Sequence, residues 1–584
     1  MPSKALPSFS KALFSGILLD ELLFPYPKMD KEEAENLKLV QETFKKFADD
    51  KIDSQKIDEE AHIPDEVMNG LKELGFMGLS VPEKYGGFGL SNTGYVKMLE
   101  FIGGTDPSVA IMLGGHQSIG YKALILYGTD EQKKKYLPKL ASGEMVASYC
   151  LTEPGAGSDA AGIQSKAVRD EKRGVYILNG NKQWITNAGI ADFLTVFAKE
   201  PITDKDGKVK EKISAFIVTR DMKGVSVGKE ENKLGLKGSS TASLFFEDVE
   251  VPFENVIGEP GKGFKVAMNV LNAGRLGLSG GSLGALKHVM RPALAHIKER
   301  RQFGKTLSEF EMIKEKVAQM TIDLFATESM IYLTSGLMDR GDVDYSLEAA
   351  MCKVRATEVA WNGINECLQM VGGLGFMKEY PYQRLMRDGR VNMIFEGTNE
   401  ILRMFITLAG IRDEGEYLKK IGEALKGPIK GFGVLTDYAT QWLKDRVMTE
   451  HIRDVHPSLA NAKVQFETWA KNTHFSAERF IMHHGKNVIY REMRQERLAN
   501  AAIDLFGMIS TISRVDSLIA EKGEEKCKHE IMIANVFADQ AWRRVRRNLL
   551  MMDSNADRQM GELSDFMVKQ GFYPFATESM EILL

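Results

Sequence analysis

Val175-Tyr176-Ile177-Leu178-Asn179-Gly180-Asn181-Lys182-Gln183-Trp184-Ile185-Thr186 is the stretch whose reading decides the fold class. Residues on either side of Asn179-Gly180 alternate as in a half-buried strand, and an Asn-Gly pair between two such runs predicts a hairpin turn. Strand-like runs continue at 193–198, 213–218, 225–227 and 242–249. On both sides of this block the period is 3.6. Asp30, followed by Glu32 and Glu33, caps an amphipathic pattern through Leu37, Val40, Phe44 and Phe47. A second helix is predicted over 64–74, stopping at Gly75, with more at 95–101, 109–127 and 131–140. Past Gly263, long patterns at 313–338 and 346–371 have the dimensions of a four-helix bundle. The expected fold is mainly α with a middle β-domain. Its parts are a helical domain at 1–146, a β-domain at 147–257, a four-helix bundle at 258–411 and an additional helical domain at 412–584.

Composition removes several function classes. A chain of 584 residues with 43% hydrophobic and 27% charged residues reads as several globular domains. The net charge of -4 offers no basic footprint for nucleic acid. Cys150, Cys352, Cys367 and Cys527 are scattered and form no CxxC pair, so neither a disulfide framework nor a zinc site is expected, and a reducing compartment fits. The ten histidines show no ligand spacing. The apolar stretch 12–24 resembles a signal core, but Asp20 and Glu21 interrupt it, no small-residue cleavage site follows, and it lacks the arginines of a transit peptide. No apolar run reaches the length of a membrane span. Within 412–584, Lys430, Lys444 and Arg446 lie among Val434, Leu435, Tyr438, Trp442, Leu443 and Val447. That basic, aromatic pattern over 425–447 reads either as an interfacial membrane contact or as a helix packed on its own protein.

Two motif matches lead nowhere. Gly155-Ala156-Gly157-Ser158-Asp159-Ala160 fits G-x-G-x-x-A but opens an alternating region, and no acidic residue stands about twenty positions on. Gly280-Gly281-Ser282-Leu283-Gly284 fits G-x-S-x-G, yet its flanks are helical, and small residues for close helix packing explain it better.

The stretch Met393-Ile394-Phe395-Glu396-Gly397-Thr398-Asn399 places a carboxylate after an apolar run and before a glycine. Burial beside apolar groups raises a carboxyl pKa toward the range of a general base. Glu396 is therefore a candidate base. The same residues also read as a helix start with Thr398 as cap, and locally both readings stand. In Tyr149-Cys150-Leu151-Thr152-Glu153-Pro154-Gly155-Ala156-Gly157-Ser158-Asp159, a glycine-rich turn exposes N–H groups beside two hydroxyls. With Trp184 and Thr186 it would offer an aromatic face and a hydroxyl to a planar ring.

Together with Glu299-Arg300-Arg301-Gln302-Phe303-Gly304 and Gln369-Met370-Val371-Gly372-Gly373, these motifs stand in the order and spacing of the acyl-CoA dehydrogenase family, which residues 30–410 closely resemble. Phe24-Pro25-Tyr26-Pro27, Gly115-His116-Gln117-Ser118-Ile119-Gly120, Leu271-Asn272-Ala273-Gly274-Arg275 and the extra C-terminal domain resemble its very-long-chain branch. The resemblance implies an FAD-dependent enzyme that converts a fatty acyl-CoA to its trans-2-enoyl-CoA in β-oxidation. It also implies an electron-transfer flavoprotein as acceptor, a homodimer or dimer of dimers, and a cytoplasmic or matrix location beside the inner membrane. An acyl-CoA oxidase, or an assembly role beside activity, are the rival readings. Carried over by position, Glu396 is the base. Tyr149, Leu151, Thr152, Gly157, Ser158, Trp184 and Thr186 line the flavin. Arg300, Gln302, Phe303, Gln369, Gly372 and Gly373 reach the FAD of the other subunit, and Thr398 and Glu400 approach the same cofactor. Ser158, Asn272, Arg275 and Gly397 meet the substrate; medium-chain relatives carry an aspartate where Asn272 stands.

Overall fold

The computed structural model describes residues 8–203, 206–412, 414–416, 419 and 450–575. The 425–447 segment, with its membrane and self-packing readings, lies outside the described residues. Among the described residues no helix is long and apolar enough to cross a membrane.

Residues 9–142 supply α1 (Phe9–Phe14), α2 (Lys31–Lys51), α3 (Ser54–Glu60), α4 (Asp65–Glu73), α5 (Asn92–Thr105), α6 (Pro107–Gly114), α7 (Lys122–Tyr127) and α8 (Asp130–Ser142). Local chemistry sets their ends. The Asp30 carboxylate accepts from the N–H groups of Glu32 and Glu33 at the start of α2, and Gly75, at φ 78°, lets the chain leave α4. The 109–127 pattern is not one helix. A π-helical turn, Gly115–Gly120, separates α6 from α7, and it packs so closely that a Cβ on Gly115 would strike Thr186 Cγ2 at 2.7 Å and one on Gly120 would strike Ala147 Cβ at 2.8 Å.

The sheet follows as β1 (Ala147–Cys150), β2 (Lys166–Asp170), β3 (Val175–Thr186), β4 (Phe193–Thr203), β5 (Val209–Thr219), β6 (Val225–Glu230), β7 (Thr241–Pro252) and β8 (Val256–Ile257). Its order is β6-β7-β3-β2-β4-β5-β8, with β1 paired to β4 in parallel. The hairpin expected at Asn179-Gly180 does not form; β3 runs straight through, paired along its length with β7. The register slips between Leu178 and Gly180, and Asn179 exchanges two 2.9 Å hydrogen bonds with Asp248 across the bulge. Gly180 answers to space rather than to a turn, since a Cβ there would lie 2.3 Å from Ser165 Oγ.

Beyond the sheet come α9 (Gly263–Glu299), a short hairpin β9 (Arg301–Gln302) and β10 (Lys305–Thr306), α10 (Glu311–Arg340), α11 (Ser346–Val371), α12 (Gly373–Phe376), α13 (Pro381–Arg390) and α14 (Asn399–Gly410). The 280–284 run lies inside α9. A Cβ on Gly281's neighbour Gly103 would meet the Gly281 carbonyl at 2.5 Å, and one on Gly284 would meet the Glu100 carbonyl at 1.8 Å. The small residues therefore let α5 and α9 approach backbone to backbone, as close packing required.

Three further helices, α15 (Ala460–His484), α16 (Glu492–Lys522) and α17 (Lys528–Asp553), complete the main core, and a fourth, α18 (Asp557–Gln570), follows. The N-terminal segment is built into this core. Ser8 Oγ and Ser10 N–H each donate to Glu348 Oε1 at 2.7 Å, and the His474 ring nitrogen Nδ1 meets the Phe14 carbonyl at 2.9 Å. Ser513 Oγ donates to the Leu23 carbonyl, and Phe9 packs on Phe506. The 12–24 stretch is apolar because it is a structural strap between the bundle and the last helices.

Candidate active site

A cavity of about 340 Å³ runs between the sheet, α5, α6, the π turn and α9. It brings together Tyr149, Leu151, Thr152, Gly157, Ser158, Trp184, Thr186, Asn272, Arg275, Glu396 and Gly397.

The sheet wall is held from behind by one buried ion pair. Lys182, fully buried, donates to Glu153 Oε1 at 2.7 Å and to the carbonyls of Phe197 at 2.7 Å and Leu151 at 3.3 Å. Glu153 also accepts from Ser165 Oγ at 2.6 Å and from the Ser165 and Gln164 N–H groups. Glu153 and Ala156 close a tight turn on each other, and nothing lies within 4 Å of a Cβ built on Gly155 or Gly157. The loop is thus rigid at its base and open toward a ligand. On β3, pairing with β7 slips again between Lys182 and Ile185, and Trp184 takes φ 55°. Its indole, left 58% exposed, lines the cavity. The strained backbone presents this aromatic face to the cavity. With the Thr152, Ser158 and Thr186 hydroxyls at the same wall, these groups fit a planar, polar-edged ring such as a flavin.

Glu396 faces this wall from a strained turn. Its φ is 56° and that of Gly397 is 91°, an arrangement costing about 1–3 kcal/mol for the non-glycine residue. Neighbours over-determine it. Arg275 Nε donates to the Glu396 carbonyl at 3.4 Å, and Lys353 Nζ donates to the Gly397 carbonyl and to Asn399 Oδ1, both at 2.9 Å. Thr398 Oγ1 accepts from the Ile401 N–H at 3.3 Å and caps α14. The helix-start reading therefore describes the geometry that presents Glu396 and does not compete with it.

The turn is partly exposed, but Oε2 of the carboxylate is buried and, among the described residues, has no hydrogen-bond partner. Burial pushes the Glu396 carboxyl up from 4.5 to about 7, against the pull of the Arg275 and Lys353 charges. Burial likewise brings Lys353 down to about 7 and Arg275 down to about 10. Between pH 4.5 and 7 the folded chain keeps a proton at Glu396 that the unfolded chain has lost. Ionising this carboxyl thus costs stability as pH climbs through that window, and the cost is complete above it. The stability of Glu396→Gln relative to the parent should accordingly rise across the window by up to about 3 kcal/mol, read by denaturant titration at each pH. A flat difference would mean the carboxyl is not desolvated.

The remaining sequence-derived residues lie elsewhere. Arg300, Gln302 and Phe303 sit at the exposed β9–β10 hairpin, with Phe303 93% exposed, and Gln369, Gly372 and Gly373 are exposed at the end of α11. Thr398 and Glu400 open α14 behind the cavity wall. Arg275 Nη1 donates to Asn272 Oδ1 at 2.7 Å, so the two polar groups of that segment hold each other beside Glu396. Sequence reasoning missed Lys353 and Asn399. Lys353 left a signal, a lone cation in Leu347-Glu348-Ala349-Ala350-Met351-Cys352-Lys353-Val354, where its helix is otherwise buried.

Comparison with known proteins follows the same outline. Family models match in sequence order: acyl-CoA dehydrogenase, N-terminal domain, at 34–144; its middle domain at 148–249; its C-terminal domain at 261–410; and the ACAD9/ACADV C-terminal domain at 457–573. The very long-chain specific acyl-CoA dehydrogenase, mitochondrial, of Bos taurus is 42% identical over 565 residues, covering 94% of this chain and 85% of that one. A probable acyl-CoA dehydrogenase of Bacillus subtilis (strain 168) is 34% identical over 573 residues, covering 93% and 92%. The crystal structure of an acyl-CoA dehydrogenase complexed with FAD from Bacillus anthracis superposes with a TM-score of 0.76 at 30% identity, covering 97% of this chain and 96% of that one.

Proposed function

The chain belongs to the acyl-CoA dehydrogenase family, and from that premise we propose how its residues perform FAD-dependent oxidation of long-chain acyl-CoA to trans-2-enoyl-CoA, the first step of fatty acid β-oxidation. The observation that carries the site assignment is the buried, unpartnered Glu396 Oε2 at the junction of an apolar slot and an aromatic, hydroxyl-bearing wall.

Glu396 takes the α-proton of the thioester, and its raised pKa makes the carboxylate basic enough for the task near neutral pH. Charge then grows on the thioester oxygen, and the Glu396 backbone N–H meets it, held in place by the carbonyl clamps from Arg275 and Lys353. FAD, when bound, supplies the acceptor for the β-hydrogen, which leaves as hydride. Tyr149, Leu151, Thr152, Gly157, Ser158, Trp184 and Thr186 form its seat, and Ser158, Asn272, Arg275 and Gly397 border the thioester's entry. Arg300, Gln302, Phe303, Gln369, Gly372 and Gly373 serve the FAD of a second copy, which accounts for a wholly exposed phenylalanine on a two-residue hairpin. An electron-transfer flavoprotein takes the electrons onward.

The slot supports a long acyl chain. Its lining follows α9 from Gly274, against the Glu396 carboxylate, to Ala285, about 16 Å along the helix axis. Gly114 and Gly281, where an added Cβ would meet only one atom each, at 3.8 and 3.6 Å, leave it clear of side chains there. Anaerobic bleaching of the bound flavin by a chain-length series should be at least about tenfold more efficient with hexadecanoyl-CoA than with butyryl-CoA. Faster bleaching by butyryl-CoA overturns the long-chain reading. Peroxide release in air matching product formation would replace the flavoprotein acceptor with oxygen.

A further inference from the structure

Lys353 carries a charge that its contacts do not require. It is fully buried on α11, between Cys352 and Val354, which are buried too. Its ammonium donates to two neutral acceptors, the Gly397 carbonyl and Asn399 Oδ1, both at 2.9 Å. A charge taken out of water and given neutral partners is costly, and an apolar side chain of similar volume often serves a core better. Holding a carbonyl needs only an N–H donor.

Among the described residues, the acids around Lys353 leave one that its charge can serve. Glu358, on the same helix, is engaged elsewhere: Oε1 accepts from Asn399 Nδ2 at 3.0 Å and lies 2.8 Å from Arg403 Nη1, and Oε2 accepts from Arg403 Nη2 at 2.9 Å. Glu400, at the start of α14, is exposed to water, and its own backbone N–H holds its carboxyl below the usual range. Glu396 adjoins the carbonyl that Lys353 grips, and of the charges acting on the buried lysine its own is the strongest, opposed by Arg275 from α9. The effect is mutual, since the Arg275 and Lys353 charges both draw the Glu396 carboxyl down against its burial. Tyr95 on α5 and Tyr149 on β1 feel the same carboxylate, but burial pushes both hydroxyls far up, and they stay neutral.

We propose that Lys353 is a positioning residue for acyl-CoA oxidation: through the Gly397 carbonyl and Asn399 it fixes the turn that carries Glu396, and through its charge it keeps the Glu396 carboxylate ionised to receive the α-proton. The proposal rests on the reading of Glu396 as the base. Burial brings Lys353 itself down to about 7, so its charge is present in the acid half of the pH profile, where the base would otherwise be protonated, and fades above it. Loss of that charge leaves Arg275 alone against burial and raises the Glu396 carboxyl further above 4.5 than its present value of about 7.

The test follows kcat/KM for hexadecanoyl-CoA against pH in the parent holoenzyme, in Lys353→Met and in Lys353→Gln, which keeps an N–H donor on a side chain one bond shorter. The acid limb should move up by about one pH unit in both variants, a fall of about tenfold at pH 6. On the alkaline plateau Met should fall about threefold and Gln by less, because there only the grip on the turn is missing. A limb that stays in place or moves down, whatever happens to the plateau, overturns the proposal, as does a limb that moves in Met and not in Gln. A plateau untouched in Met overturns the positioning role. The same shift is read without flavin from unfolding free energies: the pH window over which Glu396→Gln gains stability should extend above 7 when Lys353 is Met, and an unmoved window overturns the proposal. Failure of the parent to oxidise hexadecanoyl-CoA at all would instead strike the acyl-CoA reading.

Discussion

Glu396→Gln should abolish flavin reduction by hexadecanoyl-CoA, by about 10⁴-fold, in a protein that keeps its FAD and still binds the thioester. The exchange conserves volume and leaves the turn intact, because Arg275 and Lys353 grip backbone carbonyls at 396 and 397 and not the side chain. What it removes is the carboxylate that can take a proton, leaving an amide that cannot. Oε2 is buried and unpartnered, so no neighbouring group stands in line to replace it. Anaerobic stopped-flow bleaching measures the chemical step, and equilibrium titration of the same holoenzyme measures binding. Bleaching at more than a hundredth of the parent rate would show that another group takes the proton.

The second large effect lies behind the opposite wall. Lys182→Met should cost about 3–5 kcal/mol and loosen FAD, because it strands the Glu153 carboxylate in the protein interior. Lys182 supplies that carboxylate with its positive charge at 2.7 Å and ties together the Leu151 and Phe197 carbonyls, while burial opposes its own charge. Removing both charges is expected to be gentler than removing one, so Lys182→Met combined with Glu153→Leu recovers much of the loss. Denaturant unfolding of parent, single and double variants, with retained FAD read by absorbance, separates the cases. A single variant as stable as the parent would show that the pair is incidental.

Much of this was legible beforehand because periodicity is a local property. The helical patterns at 313–338 and 346–371 became α10 and α11, and the runs at 193–198 and 213–218, apolar enough to be buried along their whole length, became β4 and β5. Asn179-Gly180 misled because turn chemistry and bulge chemistry use the same residues; only Ser165, which is distant in the local pattern, decides between them. Glu396 was visible as a candidate but ambiguous, because its environment comes from Arg275 and Lys353 on two other helices. The left-handed conformation of Trp184 could not be read from Gln183-Trp184-Ile185, since it arises from a register slip against β7.

The strap at 9–24 dictates when this protein can finish folding. Leu23 waits for Ser513, 490 positions later in the chain. At a synthesis rate of about 5–20 residues per second, that interval is roughly 25–100 s. Throughout it Phe9, Leu13 and Phe14, all buried in the finished molecule, have no completed core to enter. A nascent chain stalled before the last helices should therefore present these residues to a chaperone or a protease, and the full-length chain should withdraw them.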